Sequence, residues 1–256
     1  MLAEERQNHI LSLVKSHHSI SITEIQKRLK VSRETIRRDL LALAEQRKLR
    51  KTHGGAISLN TQEPDMAVRQ TTNVAGKRAI GRLAASMVPD GASIILAGGT
   101  TVQSAADELT NRERLTVFTN CLSSSMKLSS RNHNRVHLLG GEIQPENRAC
   151  LGRDTTRMLA SYFADFAIIG AGAISPGCIL MDFSREEAEL HGLMLKCAQN
   201  VIVVADYNKL GRYAPVRVDS LDSVHYLVTD REPEAEMAEM LSTMSLSVLV
   251  AGAEAA

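Results

Sequence analysis

The amino-acid sequence predicts an α/β protein in two parts: a small basic helical domain, then a larger domain with a mainly parallel sheet. The length of 256 residues, 44% of them hydrophobic, suffices for both. Residues 1–56 hold 12 Lys/Arg and 6 Asp/Glu, a net charge of +6, whereas the rest of the chain holds 18 and 23, a net charge of −5. From residue 73 onward, short β-branched runs alternate with helical segments, as in parallel sheets covered by helices.

Composition narrows the class of protein. No apolar run approaches the length of a membrane span, and the N-terminus lacks a signal pattern, so we expect a cytoplasmic protein. Aromatic residues make up 3% of the chain, which argues against binding by base stacking. Widely separated cysteines without a CxxC motif predict reduced, buried thiols and no metal site. These are Cys121, Cys150, Cys178 and Cys197.

Three short helices are predicted in the basic segment. Apolar residues at intervals of three and four indicate an amphipathic helix over residues 3–16. Ser21 and Glu24 have the spacing of a capping box, and Ser32 is a candidate N-cap for a third helix. The tight turn before that third helix matches the helix-turn-helix plan.

The third helix, in "SRETIRRDLLAL", has an apolar side and a basic side. Ile36, Leu40 and Leu43 cluster on one face, while the other face presents hydroxyls and cations at the start of the helix. In helix-turn-helix proteins this end reaches base edges in the major groove. Arg38 suits a guanine, and Thr35 suits a thymine methyl group or a phosphate. The alternative is an ordinary solvated charged face.

A small hairpin is predicted in "KLRKTHGGAISL". Its two glycines permit a close approach to a neighbouring backbone, and its cations suit phosphate contacts. His53 could contact DNA or pack within the hairpin. The candidate DNA-binding residues are Ser32, Arg33, Glu34, Thr35, Arg37, Arg38, Lys51 and His53.

The motif "SRETIRRDLLAL" followed by "KTHGGA" resembles the DeoR-type family of bacterial sugar-catabolism repressors. That resemblance implies a winged helix-turn-helix domain that binds double-stranded operator DNA. The chain departs from the family at Arg47, where a glycine usually ends the recognition helix. A left-handed residue there would make arginine unfavourable.

Domain boundaries follow from the change in pattern. We predict a DNA-binding domain over residues 1–57 and a linker over 58–72, which is polar, contains Pro64 and lacks periodicity. The effector-sensing and oligomerisation domain is predicted over residues 73–252. Its predicted strands lie in "SIILA", "LTVF", "VHLLG", "DFAIIGAG", "NVIVVAD", "VHYLVTD" and "LSVLVA", and helices are predicted at 76–87, 154–162, 186–197 and 233–243.

The segment "LAGGTTVQSA" is the clearest candidate ligand site in the second domain. A strand runs through two glycines into a helix, whose first N–H groups can bind a phosphate. A tight turn without a ligand is the alternative. No GK(S/T) follows, so the segment is not a Walker A loop, and "GAGAIS" is too short for a dinucleotide fingerprint.

Other predicted strands also end in small or polar residues, which favours a phosphorylated polyol beyond the carboxyl ends of the strands. The candidate effector-binding residues are Gly98, Gly99, Thr100, Thr101, Asn120, Gly140, Gly141, Glu142, Asp182, Glu187, His191, Asp206 and Lys209. No cofactor is predicted.

The family resemblance continues through this domain, in "AGGTT", "TN", "GGE", "EAELH" and "DYNKLG". It implies a fold similar to that of ribose-5-phosphate isomerase and a sugar-phosphate effector. Two ionic residues of the family pattern are replaced, by Ala97 and by His191, and the second change puts a titratable imidazole in place of a fixed cation. The surroundings of Asp182 resemble members that respond to glycerol phosphate or hexose derivatives.

We therefore predict a repressor of a carbohydrate-catabolism operon that is not an enzyme and is relieved by a phosphorylated sugar or a related metabolite. The alternative is a sugar-phosphate isomerase with a DNA-binding appendage, for which Glu187 and Lys209 are the remaining acid/base candidates. An activator would carry the same motifs. Paired half-sites in DNA favour a homodimer or homotetramer.

Overall fold

Two separate hydrophobic cores organise the part of the chain that the structure describes. The computed structural model describes residues 2–17, 19–46, 48–51, 54–58 and 63–252. One core belongs to the basic N-terminal segment and the other to the α/β segment, and they share no residue. The two-part fold class predicted from the sequence is confirmed.

The N-terminal domain contains the predicted helices and hairpin, together with one further strand. Its elements are α1 (Ala3–His17), β1 (Ser19–Ser21), α2 (Ile22–Leu29), α3 (Arg33–Glu45), β2 (Leu49–Lys51) and β3 (Gly55–Ser58). The unpredicted strand β1 pairs with β3, so the wing is a three-stranded antiparallel sheet in the order β1-β3-β2. A Cβ on Gly55 would lie 2.1 Å from the Ile20 carbonyl oxygen, so this close pairing requires glycine.

Predicted caps define the turn between α2 and α3. Ser21 Oγ accepts a hydrogen bond from the Glu24 N–H at 3.1 Å, and Ser32 Oγ accepts one from the Thr35 N–H at 3.1 Å. Lys30 ends α2 in the left-handed region at φ 53°. Local hydrogen bonds therefore fix the turn between α2 and α3. Arg47 lies outside the described residues.

The predicted linker differs from expectation in part. Helix α4 (Met66–Thr71) forms within it, with Met66 buried. A helix of six residues with one buried apolar side chain gives no periodic pattern in the sequence, so the sequence does not predict it. In the fold, Lys77 Nζ holds this helix by donating a hydrogen bond to the Arg69 carbonyl at 2.5 Å. Residues 59–62 lie outside the described residues, and the boundaries at 58 and 72 remain predictions.

The second domain is built on a seven-stranded sheet in which every paired neighbour is parallel. Its elements in chain order are α5 (Val74–Ser86), β4 (Ser93–Leu96), α6 (Thr100–Leu109), β5 (Thr116–Thr119), α7 (Leu122–Ser129), β6 (Arg135–Leu138), β7 (Glu142–Gln144), β8 (Ala149–Leu151), α8 (Arg153–Leu159), β9 (Ala164–Gly170), β10 (Ala173–Ile174), β11 (Ile179–Asp182), α9 (Arg185–Met194), β12 (Ala198–Val204), β13 (Val216–Ser220), β14 (Tyr226–Thr229), α10 (Ala235–Ser242) and β15 (Ser247–Val250). All the predicted strands of this domain lie in the large sheet.

Strand order places a ligand site. The order is β15-β14-β12-β9-β4-β5-β6. From β4 the chain adds strands toward one edge of the sheet, and from β9 it adds strands toward the other edge, so the strand order reverses between β4 and β9. In open parallel sheets, a crevice forms at such a reversal, beyond the carboxyl ends of the two strands. Two smaller antiparallel sheets, β10-β11-β13 and β7-β8, stand beside it. No described helix has the length and apolar character of a membrane span.

Candidate functional site

Helix α3 carries an exposed basic face over a buried apolar one. Ile36 and Leu40 are fully buried, whereas Arg33, Arg37 and Arg38 are exposed. The Arg38 side chain is 79% exposed, and its Nε lies 3.8 Å from Glu34, one turn earlier. An exposed pair of this kind contributes little to stability, so Arg38 is free to exchange Glu34 for another partner.

The hydroxyls at the start of α3 form a local pair. Ser32 Oγ lies 2.8 Å from Thr35 Oγ1 while it also caps the helix, which fixes both hydroxyls at the N-terminal end. Lys51 is exposed on the wing. His53 lies outside the described residues. The remaining predicted DNA contacts thus sit on exposed or half-exposed surface.

Asp39 is a structural acid that the sequence analysis did not single out. It is 4% exposed, and its carboxylate accepts hydrogen bonds from Arg6 at 2.5 and 3.1 Å and from Gln7 at 3.3 Å. Both donors lie on α1. The hydrogen bonds of Asp39 with Arg6 and Gln7 therefore fix the orientation of α3 relative to α1.

A pocket of roughly 670 Å³, including its open mouth, lies at the strand-order reversal. The loop after β4 and the loop after β9 form its floor, and a Cβ on Gly170 would lie 3.6 Å from the Gly98 carbonyl oxygen. Its lining is glycine, hydroxyl, amide and charged side chains with a few small apolar ones. This polar lining suits a small polar metabolite.

The predicted phosphate loop is at the pocket. Gly99 takes φ 103°, which suits glycine, and α6 begins at Thr100 without a side-chain cap. The N–H groups of a helix's first turn have no partners within that helix. Asn120 gives a second polar group: it is 2% exposed, its Nδ2 donates to the Cys150 carbonyl at 3.0 Å, and its Oδ1 has no partner among the described residues.

A histidine–carboxylate pair forms the opposite wall. His191 Nδ1 lies 2.8 Å from Asp182 Oδ2, and Asp182 Oδ1 accepts the Gly172 N–H at 3.1 Å. Burial disfavours the imidazolium, but Asp182, Glu187 and Glu63 outweigh it and raise the pKa of His191. The pair favours a protonated imidazole, which restores part of the positive charge of the family's lysine.

Next to this pair, Glu187 is held by an amide relay. Glu187 Oε1 accepts from Asn147 Nδ2 at 2.9 Å, and Asn147 Oδ1 accepts from Arg69 Nη2 at 2.5 Å. Burial and the nearby charges of Glu63 and Asp182 raise the pKa of Glu187. The relay therefore ties α4 to α9 across the mouth of the pocket.

Three cations line the pocket: Arg69, Lys77 and Lys209. Lys209 Nζ donates to the Gly172 carbonyl at 3.1 Å. Lys77 lies 3.9 Å from Asp206, and burial lowers the pKa of Lys77 despite that carboxylate. These cations line the same pocket as the start of α6 and the carboxylates of Glu63, Asp182 and Glu187, and the cations and the helix start are the groups there that can bind an anion.

Most of the predicted effector residues come together here. Those lining the pocket are Gly98, Gly99, Thr100, Thr101, Asn120, Asp182, Glu187, His191 and Lys209. The pocket lining does not include Gly140, Gly141, Glu142 or Asp206.

The four outlying residues have other surroundings. Gly141 takes φ 147°, and a Cβ there would lie 2.3 Å from Thr155 Oγ1, which itself donates to the Gly140 carbonyl at 2.7 Å. Gly141 therefore allows the chain to pack on α8. Glu142 is exposed at the start of β7, and Asp206 is buried beside Lys77.

Four further polar residues line the pocket although the sequence analysis did not indicate them: Glu63, Arg69, Lys77 and Asn147. Lys77 left a signal, because it shares the buried face of α5 with Ile80 and Ala84, where a charge is unexpected. The others lie in segments without periodicity and reach the pocket only through the fold. Ala97 is fully buried in the core and does not line the pocket, so its replacement of the family's acid leaves no carboxylate there.

The chain matches two family domains and several curated proteins. The DeoR-like helix-turn-helix domain matches residues 6–62, and the DeoR C-terminal sensor domain matches residues 72–231. The chain is 36% identical to the HTH-type transcriptional repressor GlcR of Bacillus subtilis, over 98% of this chain and 97% of that protein. It is 31% identical to the glycerol-3-phosphate regulon repressor of Escherichia coli, over 94% and 96%.

Among solved structures, the chain is similar to ribose 5-phosphate isomerase A of Methanocaldococcus jannaschii. The TM-score is 0.40 at 19% sequence identity, over 54% of this chain and 55% of that one. A translation initiation factor eIF-2B of Pyrococcus horikoshii gives a TM-score of 0.43 at 13% identity, over 88% and 86%.

Proposed function

The chain belongs to the DeoR family of transcriptional regulators, and from that premise we propose that it represses a carbohydrate-catabolism operon. Operator DNA binds to α3 and the wing. A phosphorylated sugar or a related small phosphate ester binds in the sensor pocket and releases the operator. The protein acts in the cytoplasm, where both partners are found.

One observation carries the effector assignment: an uncapped helix start, three cations and an orphaned buried amide oxygen converge on one pocket. The helix start and the cations suit the phosphate group, and Asn120 Oδ1 suits a hydroxyl donor on the same ligand. The name of the Escherichia coli relative points to glycerol 3-phosphate metabolism, and a small phosphate ester of that kind fits the chemistry of the lining.

Binding at paired half-sites requires two copies of α3. We propose a homodimer or homotetramer assembled through the sensor domain. For the effector to release DNA, it must bind the DNA-free arrangement more tightly than the DNA-bound one.

The effector assignment is tested with a thermal-shift panel of glucose 6-phosphate, glycerol 3-phosphate and ribose 5-phosphate beside the unphosphorylated compounds. Thr100→Glu places a carboxylate at the start of α6 and should abolish the shift while operator binding persists. Thr100→Val is the control, because it keeps the backbone N–H groups and adds no charge. Retained stabilisation in Thr100→Glu would refute the phosphate loop.

DNA reading is tested at two positions. Arg38→Ala should weaken cognate binding by about 1–3 kcal/mol and relax the preference at one base position. Lys51→Ala should instead weaken binding to all sequences and reduce the salt slope by about one. Equal losses on cognate and random DNA for Arg38→Ala would show that this arginine reads no base.

We propose that the protein is not an enzyme, although His191, Asp182 and Glu187 supply titratable groups at the pocket. Incubating the protein with ribose 5-phosphate should give no ribulose 5-phosphate above background. A turnover that His191→Gln abolishes would favour the isomerase alternative.

A further inference from the structure

Glu63 lies inside the sensor pocket although it belongs to the segment that leads to the DNA-binding domain. Its Oε1 lies 3.0 Å from Arg69 Nη1 and 3.9 Å from Lys209 Nζ. Its side chain is 17% exposed, and it lines the pocket together with both cations. A carboxylate of the chain itself therefore occupies the place where two of the pocket's cations meet.

Both cationic partners of Glu63 also donate hydrogen bonds to other residues, and Asn147 and Gly172 among these lie in separate segments of the sensor domain. Arg69 Nε donates to the Pro64 carbonyl at 2.9 Å, and Arg69 Nη2 donates to Asn147 at 2.5 Å. Lys209 is anchored on the Gly172 carbonyl at 3.1 Å. If the Glu63 carboxylate left, Arg69 would still donate to Asn147 and Lys209 to Gly172, and both cations would be open to another anion.

We infer that Glu63 is a built-in anion that an anionic effector displaces, and that this displacement releases the tether of the DNA-binding domain. The inference rests on the proposed function, since it assigns the regulation of the same pocket. It supplies a direct path between the sites, because Glu63 is separated from the end of β3, at Ser58, by residues 59–62 alone.

The two cations favour the exchange. Glu63 shares the pocket with Asp182 and Glu187, so an anion that replaces it meets the same neighbouring carboxylates and must gain its advantage at Arg69 and Lys209. A phosphate ester brings up to two charges and three acceptor oxygens, so it binds a cation cluster more strongly than a carboxylate does. An uncharged sugar offers Arg69 and Lys209 only hydroxyl acceptors and no anionic group that could replace the charge of Glu63.

A tethered anion competes with a free one at an effective concentration in the millimolar range. The pocket is thereby protected from weak anions at low concentration. Only a ligand that makes further contacts, such as a ligand hydroxyl that donates to Asn120 Oδ1, displaces the Glu63 carboxylate. Removing the charge of Glu63 should therefore raise the affinity for every phosphate ester.

The test compares Glu63→Gln with Asp65→Asn in the full-length protein. Asp65 lies two residues further on, is exposed and makes no side-chain cap for α4, so it controls for charge in the same segment. Titration calorimetry uses inorganic phosphate, glycerol 3-phosphate and glucose 6-phosphate. Operator affinity without effector is measured on the same proteins.

We expect Glu63→Gln to bind the phosphate ester about 5- to 150-fold more tightly than the wild type, the usual range of coupling between linked sites. Its operator affinity without effector should fall, while Asp65→Asn matches the wild type in both measurements. Equal or weaker ester binding by Glu63→Gln, with the wild type still binding, overturns the displacement and leaves the proposed function intact. No ester binding by either protein overturns both.

Discussion

His191 shows how burial and neighbours set the chemistry of one side chain. Burial alone would keep the imidazole neutral, but Asp182 at 2.8 Å and the charges of Glu187 and Glu63 reverse that preference. The sequence shows that His191 replaces the family's lysine, whereas the pairing of His191 with Asp182 on β11 is seen only in the fold. The replacement therefore changes a permanent charge into one that depends on pH.

The raised pKa of His191 predicts a pH dependence of stability. A group whose pKa is higher in the folded state stabilises it fully below the unfolded pKa, and this contribution is lost as pH rises through the folded pKa. The loss in melting temperature of the sensor domain caused by His191→Gln should therefore be larger at about pH 6 than at about pH 9. Calorimetric scans at both pH values measure it, and a larger loss at the higher pH would contradict the assignment.

At the scale of elements, two adjacent glycines in the wing have different roles. A Cβ on Gly55 would lie 2.1 Å from the Ile20 carbonyl oxygen, whereas one on Gly54 would meet nothing within 4 Å. The clash is with backbone of β1, so a rotamer change cannot relieve it. The extra strand β1 thus explains a sequence feature that a two-stranded hairpin would not require.

Gly55→Ala should destabilise the N-terminal domain by about 1–3 kcal/mol, the usual cost of overpacking. Gly54→Ala is its matched control and should stay within about 0.5 kcal/mol of the wild type. Chemical denaturation followed by far-ultraviolet circular dichroism gives both values. Operator affinity should fall in Gly55→Ala and stay unchanged in Gly54→Ala, because only the first substitution disturbs the packing of the wing beside α3.

At the scale of the whole molecule, two cores are joined by one short segment, and charges of the two domains influence each other through space. Glu24 on α2 and Arg212 in the loop after Lys209 are close enough to influence each other's pKa. The charges of the loop after Lys209 and of the DNA-binding domain are therefore within electrostatic range of each other.

Because the cores are separate, a ligand of the pocket should stabilise mainly the sensor domain. At about 100 times its dissociation constant, an effector contributes about 2.7 kcal/mol. For a domain of this size, that raises its melting temperature by roughly 5–10 °C. Differential scanning calorimetry should show one transition that moves and one that stays. An equal shift of both transitions would mean that the domains unfold as one unit.

The sequence by itself determined the elements whose signals are local. Capping residues located α2 and α3, β-branched runs located the strands of the large sheet, and glycines located the turn before α6 that is the predicted phosphate loop. Each signal depends on residues a few positions apart, so no distant contact was needed to recognise it. Family motifs added the candidate side chains, and most of them line the pocket.

Only the tertiary structure decided which of those side chains meet and what they meet. Strand order brought the loop after β4 beside the loop after β9, and it left Gly140, Gly141, Glu142 and Asp206 out of the pocket lining. It also carried Glu63 and Arg69 into the pocket from a segment that the sequence predicts to be a plain linker. Distance along the chain does not encode these contacts, because they form between segments that the sheet and its helices bring together.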